Sequence, residues 1–218
     1  MNQTAMGSEF LVYLRLGFEH IADPRGYDHI LFIVALTATY LPRAWRQVVA
    51  MVTAFTVGHS VTLALATLGL IRIPTNLIEF LIPVTILVTA LLNGVELRHG
   101  EPSHSADSEE QEDMDLAEPR GGQGMRYALA LGFGLIHGLG FSNFLRAVLG
   151  GEASIVWPLF AFNVGLEVGQ VLIVAIVLAA TALATSLLRV PQRAWIVALS
   201  STAGAVALYL VWDRLPLG

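Results

Sequence analysis

Cysteine is absent from the 218 residues. Disulfides, thiolate metal sites and cysteine nucleophiles are therefore excluded. Lysine is absent too, and all 12 basic residues are arginines. That removes a Walker-type phosphate loop and lysine Schiff-base chemistry. Charge is scarce: Asp, Glu, Lys and Arg make up 13% of the chain, against about 25% in a soluble domain. The scarcity is uneven. Eight of the 17 acidic residues fall between Glu101 and Glu118, leaving nine for the other 200 positions. The formal charge of −5 thus describes one stretch and not the body. These shortages exclude a soluble α/β enzyme, a disordered chain and a basic nucleic-acid binder, so no nucleic-acid partner is expected.

What remains is apolar, at 55%, in continuous Leu, Val and Ala runs that argue against a β-barrel. The expectation is an all-α polytopic membrane protein in the lipid bilayer. A hydrocarbon core of about 30 Å needs about 20 apolar residues per helix. Six stretches meet or approach this: 27–41, 47–70, 75–97, 126–149, 156–187 and 194–213. Before them, Phe10 to Ile21 is apolar but carries Arg15, Glu19 and His20. It reads as a short N-terminal interfacial helix. It lacks the basic start and small-residue cleavage site of a signal peptide. Asp23-Pro24-Arg25-Gly26 then turns the chain.

Residues 1–98 form one three-helix half with the interfacial helix, and residues 125–218 the other, within one membrane domain. Residues 99–124, acidic and including His99 and His104, cannot bury a core and read as a disordered linker. A soluble partner would dock there. Small-residue patches facing the membrane permit a homo-oligomer. Loops 41–46, 98–126 and 188–193 carry seven of the arginines and the opposite side five. By the positive-inside rule both termini face outward.

The informative residues are polar groups inside spans, where an ionisable side chain costs several kcal/mol unless paired or functional. Asp28 and His29 open the first span, with His20 just before it. His59 lies near the middle of the second. Glu79 and Asn93 lie early and late in the third, and His137 is mid-span in the fourth. Asn163, Glu167 and Gln170 make one stripe along the fifth. Packed together, these residues would form one outward-facing cluster of three or four imidazoles and two or three carboxylates. Imidazole with carboxylate suits a divalent first-row ion such as nickel, cobalt or zinc. Calcium and magnesium prefer oxygen, and no Cys or Met cluster suits copper(I). Gly134 with Gly138, and Gly165 with Gly169, are small-xxx-small pairs for close helix packing.

Several segments together resemble the HupE/UreJ family of hydrogenase and urease accessory membrane proteins, in its second subgroup. They are Asp28-His29-Ile30-Leu31-Phe32, the Phe-Thr-x-Gly-His-Ser-x-Thr-Leu run at 55–63, and Glu79 with Ile82, Thr85, Ile86, Ala90 and Asn93. Phe133 to Phe141 and Phe162 to Gln170 complete the set, in order. The resemblance implies a nickel or cobalt permease, placed in a bacterial inner membrane, with His20, Asp28, His29, His59, His137 and Glu167 as metal ligands, supported by Glu79, Asn93, Asn163 and Gln170. A second reading is an intramembrane zinc-dependent hydrolase with Glu167 as general base and Ser60 or Asn163 polarising a carbonyl. A third is a non-catalytic membrane chaperone or sensor.

Overall fold

The structure, a computed structural model, describes residues 3–99, 123–149 and 155–215. The acidic linker and the partner site expected on it lie outside the described residues, apart from their margins. Eight α-helices and short turns make up the described residues: α1 Gln3–Ala22, α2 Asp28–Thr37, α3 Trp45–Thr67, α4 Thr75–His99, α5 Gln123–Gly140, α6 Ser142–Leu149, α7 Val156–Ala182 and α8 Gln192–Asp213. No strand occurs among the described residues. A π-turn, Leu183–Leu187, prolongs α7.

Four helices are long and apolar enough to cross a membrane: Pro42–Thr67, Thr75–Arg98, Val156–Leu187 and Gln192–Asp213. The expected fourth span is broken. α5 and α6 meet at a 50° bend around Phe141, and together they count as a fifth candidate. The expected first span is shorter than foreseen. Only ten residues of 27–41 are helical, and at 1.5 Å per residue they reach about 15 Å, half a bilayer core. Proline turns flank the segment on both sides. Pro24 opens the turn before α2. Pro42 forces Leu41 into an extended conformation, ψ 159°, because the residue before proline avoids the helical region.

The N-terminal helix departs the other way. It runs 20 residues, because polar residues 3–9 continue a helix that apolar periodicity starts only at Phe10. It also has a partner along its length. Phe10 meets the ring of Phe160, Leu14 lies on Gly165 and Ile21 on Gly169, so α1 runs parallel to α7. The contact is backbone to backbone. A Cβ on Gly17 would sit 1.9 Å from the Phe162 carbonyl oxygen, and one on Gly165 would sit 1.8 Å from that of Leu14. α3 and α5 repeat the arrangement. A Cβ on Gly134 would meet the Phe55 carbonyl at 2.1 Å, and one on Gly138 that of His59 at 2.2 Å. α4 packs on α8, with Gly204 against Ala90. The tightest pairs therefore join the first half of the chain to the second, around one apolar core.

Buried polar residues tie these pairs. Asn93 donates to the Ala35 carbonyl at 2.7 Å and to Ser200 Oγ at 3.0 Å, linking α2, α4 and α8. Its expected supporting role is thus one of packing. Pro83 lies inside α4 and has no N–H to give the Glu79 carbonyl four residues back. Arg214 at the end of α8 donates Nη1–H to that carbonyl at 3.3 Å.

Forced spacing at these glycines would part the helices. Gly165→Ala and Gly138→Ala should each cost about 1–3 kcal/mol of stability or more, the usual range for overpacking. Gly132→Ala, where an added Cβ meets nothing within 4 Å, should be neutral or slightly stabilising. Thermal unfolding of the detergent-solubilised protein separates the three. Equal melting of Gly165→Ala and wild type would contradict the packing described.

Candidate metal centre

Four helices each bring one imidazole to a common place. Asp23, extended before Pro24, accepts the Arg25 N–H on Oδ1 at 2.9 Å and closes a tight turn. This turn folds α2 back beside the end of α1. His20 and His29 therefore meet, with ring centroids 4.7 Å apart. His59 reaches them from α3, 5.8 Å from His20 and 6.4 Å from His29. His137 comes from α5 and lies 5.1 Å from His29. His29 is central, touching the other three.

One ligand nitrogen each from His20, His29 and His59 falls within 4.8 Å of the others. Three nitrogens bound tetrahedrally at about 2.0–2.1 Å from an ion are roughly 3.3 Å apart. Small inward side-chain rotations would close the remaining gap. His137 stands outside this trio, with its ring next to that of His29.

The surroundings are apolar. Phe141 lies 4.0 Å from His20, and Phe162 lies 5.8 Å from His20 and 6.4 Å from His59. Phe55 lies 5.1 Å and Phe32 5.3 Å from His137. The bend at Phe141 places its ring over His20. His29, His59 and His137 are buried. His20 Nε2, His29 Nε2, both nitrogens of His59 and His137 Nδ1 have no hydrogen-bond partner. Each such orphan costs about 1–3 kcal/mol, so five in one place is an expensive arrangement. A cation shared by their lone pairs would remove the cost.

The carboxylates are elsewhere. Glu167 is held on α7 by α3: its Oε1 accepts from Thr53 Oγ1 and its Oε2 from Thr56 Oγ1, both at 2.5 Å. Gln170 joins it, with Oε1 2.7 Å from the same Thr56 hydroxyl oxygen. Glu167 is not among the ligand atoms that gather with the imidazoles. This oxygen-rich cluster sits on α3 three residues before His59, almost one turn away. Asn163 lies between the two groups on α7, its buried Oδ1 without a partner. Asp28, beside His29, pairs with Arg214 at 2.9 Å through Oδ2, while its Oδ1 is unpartnered. The Glu79 residue is exposed. Ser60 spends its hydroxyl proton on the Thr56 carbonyl at 2.7 Å. The base and the hydroxyl that a zinc hydrolase would use are thus engaged apart from the imidazoles.

The family model described as HupE / UreJ protein matches residues 1–214. The chain belongs to the HupE/UreJ family. Neither the curated proteins nor the solved structures contain a match to it. The segments singled out by resemblance supply three of the four clustered imidazoles of this HupE/UreJ protein, His29, His59 and His137. Sequence reasoning missed Arg214, the phenylalanine shell and the part of Thr85, whose Oγ1 lies 3.0 Å from His137 Nε2. Arg214 carried a signal, being an arginine at the end of a span with no acid beside it except Asp213.

Separation of Glu167 from the imidazoles has a measurable consequence. Calorimetric titration of purified protein with Co²⁺ should show His20→Ala, His29→Ala and His59→Ala each losing at least about tenfold in affinity, since a lost ligand costs more than a lost outer partner. Glu167→Gln should stay within about threefold of wild type, a few tenths of a kcal/mol. A Glu167→Gln loss as large as that of His59→Ala would place the carboxylate in the coordination sphere.

Proposed function

We propose that this HupE/UreJ protein is a membrane permease for a divalent transition-metal ion of the nickel or cobalt class. The observation that supports it most is the group of four imidazoles from four helices, with unpartnered nitrogens in an apolar shell. Neutral imidazole nitrogens bind nickel, cobalt and zinc well and bind calcium or magnesium poorly. A site through which an ion passes must also release it. Imidazole without thiolate, in a chain with no cysteine, fits reversible binding better than permanent storage.

The polar groups suggest a route in this reading. Asp28 Oδ1, without a partner beside His29, offers a first carboxylate contact to an incoming cation. The imidazoles take the ion next. Asn163, Glu167, Thr56 and Gln170 continue along the α3–α7 contact as oxygen donors. Bound protons must leave an imidazole before the ion binds. The energy comes from an ion gradient or the membrane potential, since the sequence holds no Walker-type phosphate loop. In this reading the arginine distribution supports both termini on the outer side by the positive-inside rule, and the family supports a bacterial inner membrane.

The test is uptake into proteoliposomes. Ni²⁺ or Co²⁺ should accumulate in vesicles holding the wild-type protein and not in empty ones. His59→Ala and His137→Ala should each abolish uptake while keeping the wild-type helical content. Normal uptake by both variants would end the permease reading. Lowering the external pH should slow uptake, because protons compete with the ion for the ligand nitrogens.

A further inference from the structure

His137 differs from the other three imidazoles in having a side-chain hydrogen-bond partner. Its Nε2 lies 3.0 Å from Thr85 Oγ1 on α4. Thr85 Oγ1 also lies 2.7 Å from the Ile82 carbonyl oxygen of its own helix, as donor. A threonine hydroxyl has one proton. Given to Ile82, it leaves the Thr85 oxygen as an acceptor toward His137, so His137 Nε2 must carry the ring proton. Nδ1 then holds the free lone pair. That nitrogen is buried and has no partner.

The opposite assignment is worse on each count. If Thr85 donated to His137 Nε2, the short contact to the Ile82 carbonyl would lose its proton. The ring N–H would move to Nδ1, where no acceptor meets it. A buried orphan N–H is among the rarest defects in folded proteins, rarer than an under-used lone pair. Asn and Gln can exchange N and O by an amide flip, but no amide takes part in this pair. Thr89 adds support from the next turn, donating to the Thr85 carbonyl at 2.8 Å.

We infer that Thr85 is a positioning residue for metal capture: it holds His137 in the Nε2–H tautomer and so presents the Nδ1 lone pair as a nitrogen ligand beside His29. This rests on the metal-binding reading of the cluster, and it adds a residue that touches no ion. The other orphan nitrogens are His20 Nε2, His29 Nε2 and either nitrogen of His59. With His137 Nδ1, each of α1, α2, α3 and α5 then offers one lone pair. The gathered nitrogens of His20, His29 and His59 leave one position of a tetrahedral ion open, and His137, with its ring 5.1 Å from that of His29, is the imidazole beside it. Outer partners that fix a ligand's tautomer usually change metal affinity by about 10–100-fold.

The tautomer can be read without metal. Nitrogen-15 NMR of the full chain in lipid, labelled at histidine and assigned by comparison with His137→Ala, should show His137 protonated at Nε2 and bare at Nδ1. Thr85→Ser should keep that signature and bind Co²⁺ within about threefold of wild type. Thr85→Val, equal in shape but without the hydroxyl, should lose the single tautomer and weaken Co²⁺ binding by roughly 10–100-fold. A wild-type His137 bare at Nε2 would overturn the inference, whether or not Thr85→Val folds. So would a folded Thr85→Val that binds Co²⁺ as wild type does. If the wild type binds no Co²⁺, the metal reading fails, while the NMR result still decides the tautomer.

Discussion

Backbone contact between helices sets everything else in this protein. Two parallel pairs, α1 on α7 and α3 on α5, touch at Gly17, Gly165, Gly134 and Gly138, where no side chain would fit. An imidazole reaches only a few ångströms from its backbone. Rings from four helices can share one volume only if their axes come unusually close. The glycines permit that approach, and Gly138 does so on the His59 carbonyl itself, next to His137. Lipid supplies no hydrophobic drive between helices, so small residues and close packing must supply the attraction. The same residues hold the bundle together and bring the nitrogens within range.

The second constraint is the shell. Phe32, Phe55, Phe141 and Phe162 pack around the imidazoles. They leave few polar groups to satisfy ring nitrogens; Thr85 beside His137 and the Gly26 backbone beside His29 are exceptions. Such a cluster destabilises the chain unless something binds it. Fold and ligand are therefore linked: an ion held by the nitrogens and absent from the unfolded chain adds stability with its concentration. Nitrogen-only coordination also sorts ions. Hard cations are poorly served by imidazole, and softer divalent ions are well served.

Much of this was legible in the sequence, because membrane physics makes polar residues conspicuous. His59 and His137 stand out in apolar runs, and the bounds of α3, α4, α8 and α7 with its π-turn lie within about three residues of the apolar stretches. The glycine pairs were readable from their spacing. What was not legible depended on direction and distance. Glu167 shares a stripe with Asn163 and Gln170, and a stripe shows which face of α7 is polar without showing what it meets. It meets Thr53 and Thr56, threonines that look ordinary in a span. The ten-residue α2 hid inside a longer apolar run because hydropathy continues through residues 38–41, past the end of the helix at Thr37. The bend at Phe141 has no proline to announce it. Asn93 looked like a site residue and serves α2 and α8 as a tie.

Two ion pairs occupy different ends of the bundle. Arg214 joins the end of α8 to the start of α2 through Asp28, and to α4 through the carbonyl that Pro83 leaves free. Arg126, at the start of α5, pairs with Glu96 near the end of α4 and covers the Tyr40 ring, 5.3 Å away. α4 thus carries an ionic tie near each end, and Thr85, which orients His137, lies between them. An ion leaving the imidazoles in either direction would pass near one of these arginines, whose charge repels it. In the permease reading each pair must part before an ion can move by. Partly buried pairs resist parting because a separated charge loses its partner in a poor solvent. Passage through this bundle then requires helix movement at one end while the other stays tied, and α4, fastened at both, is the element through which the two ends would sense each other.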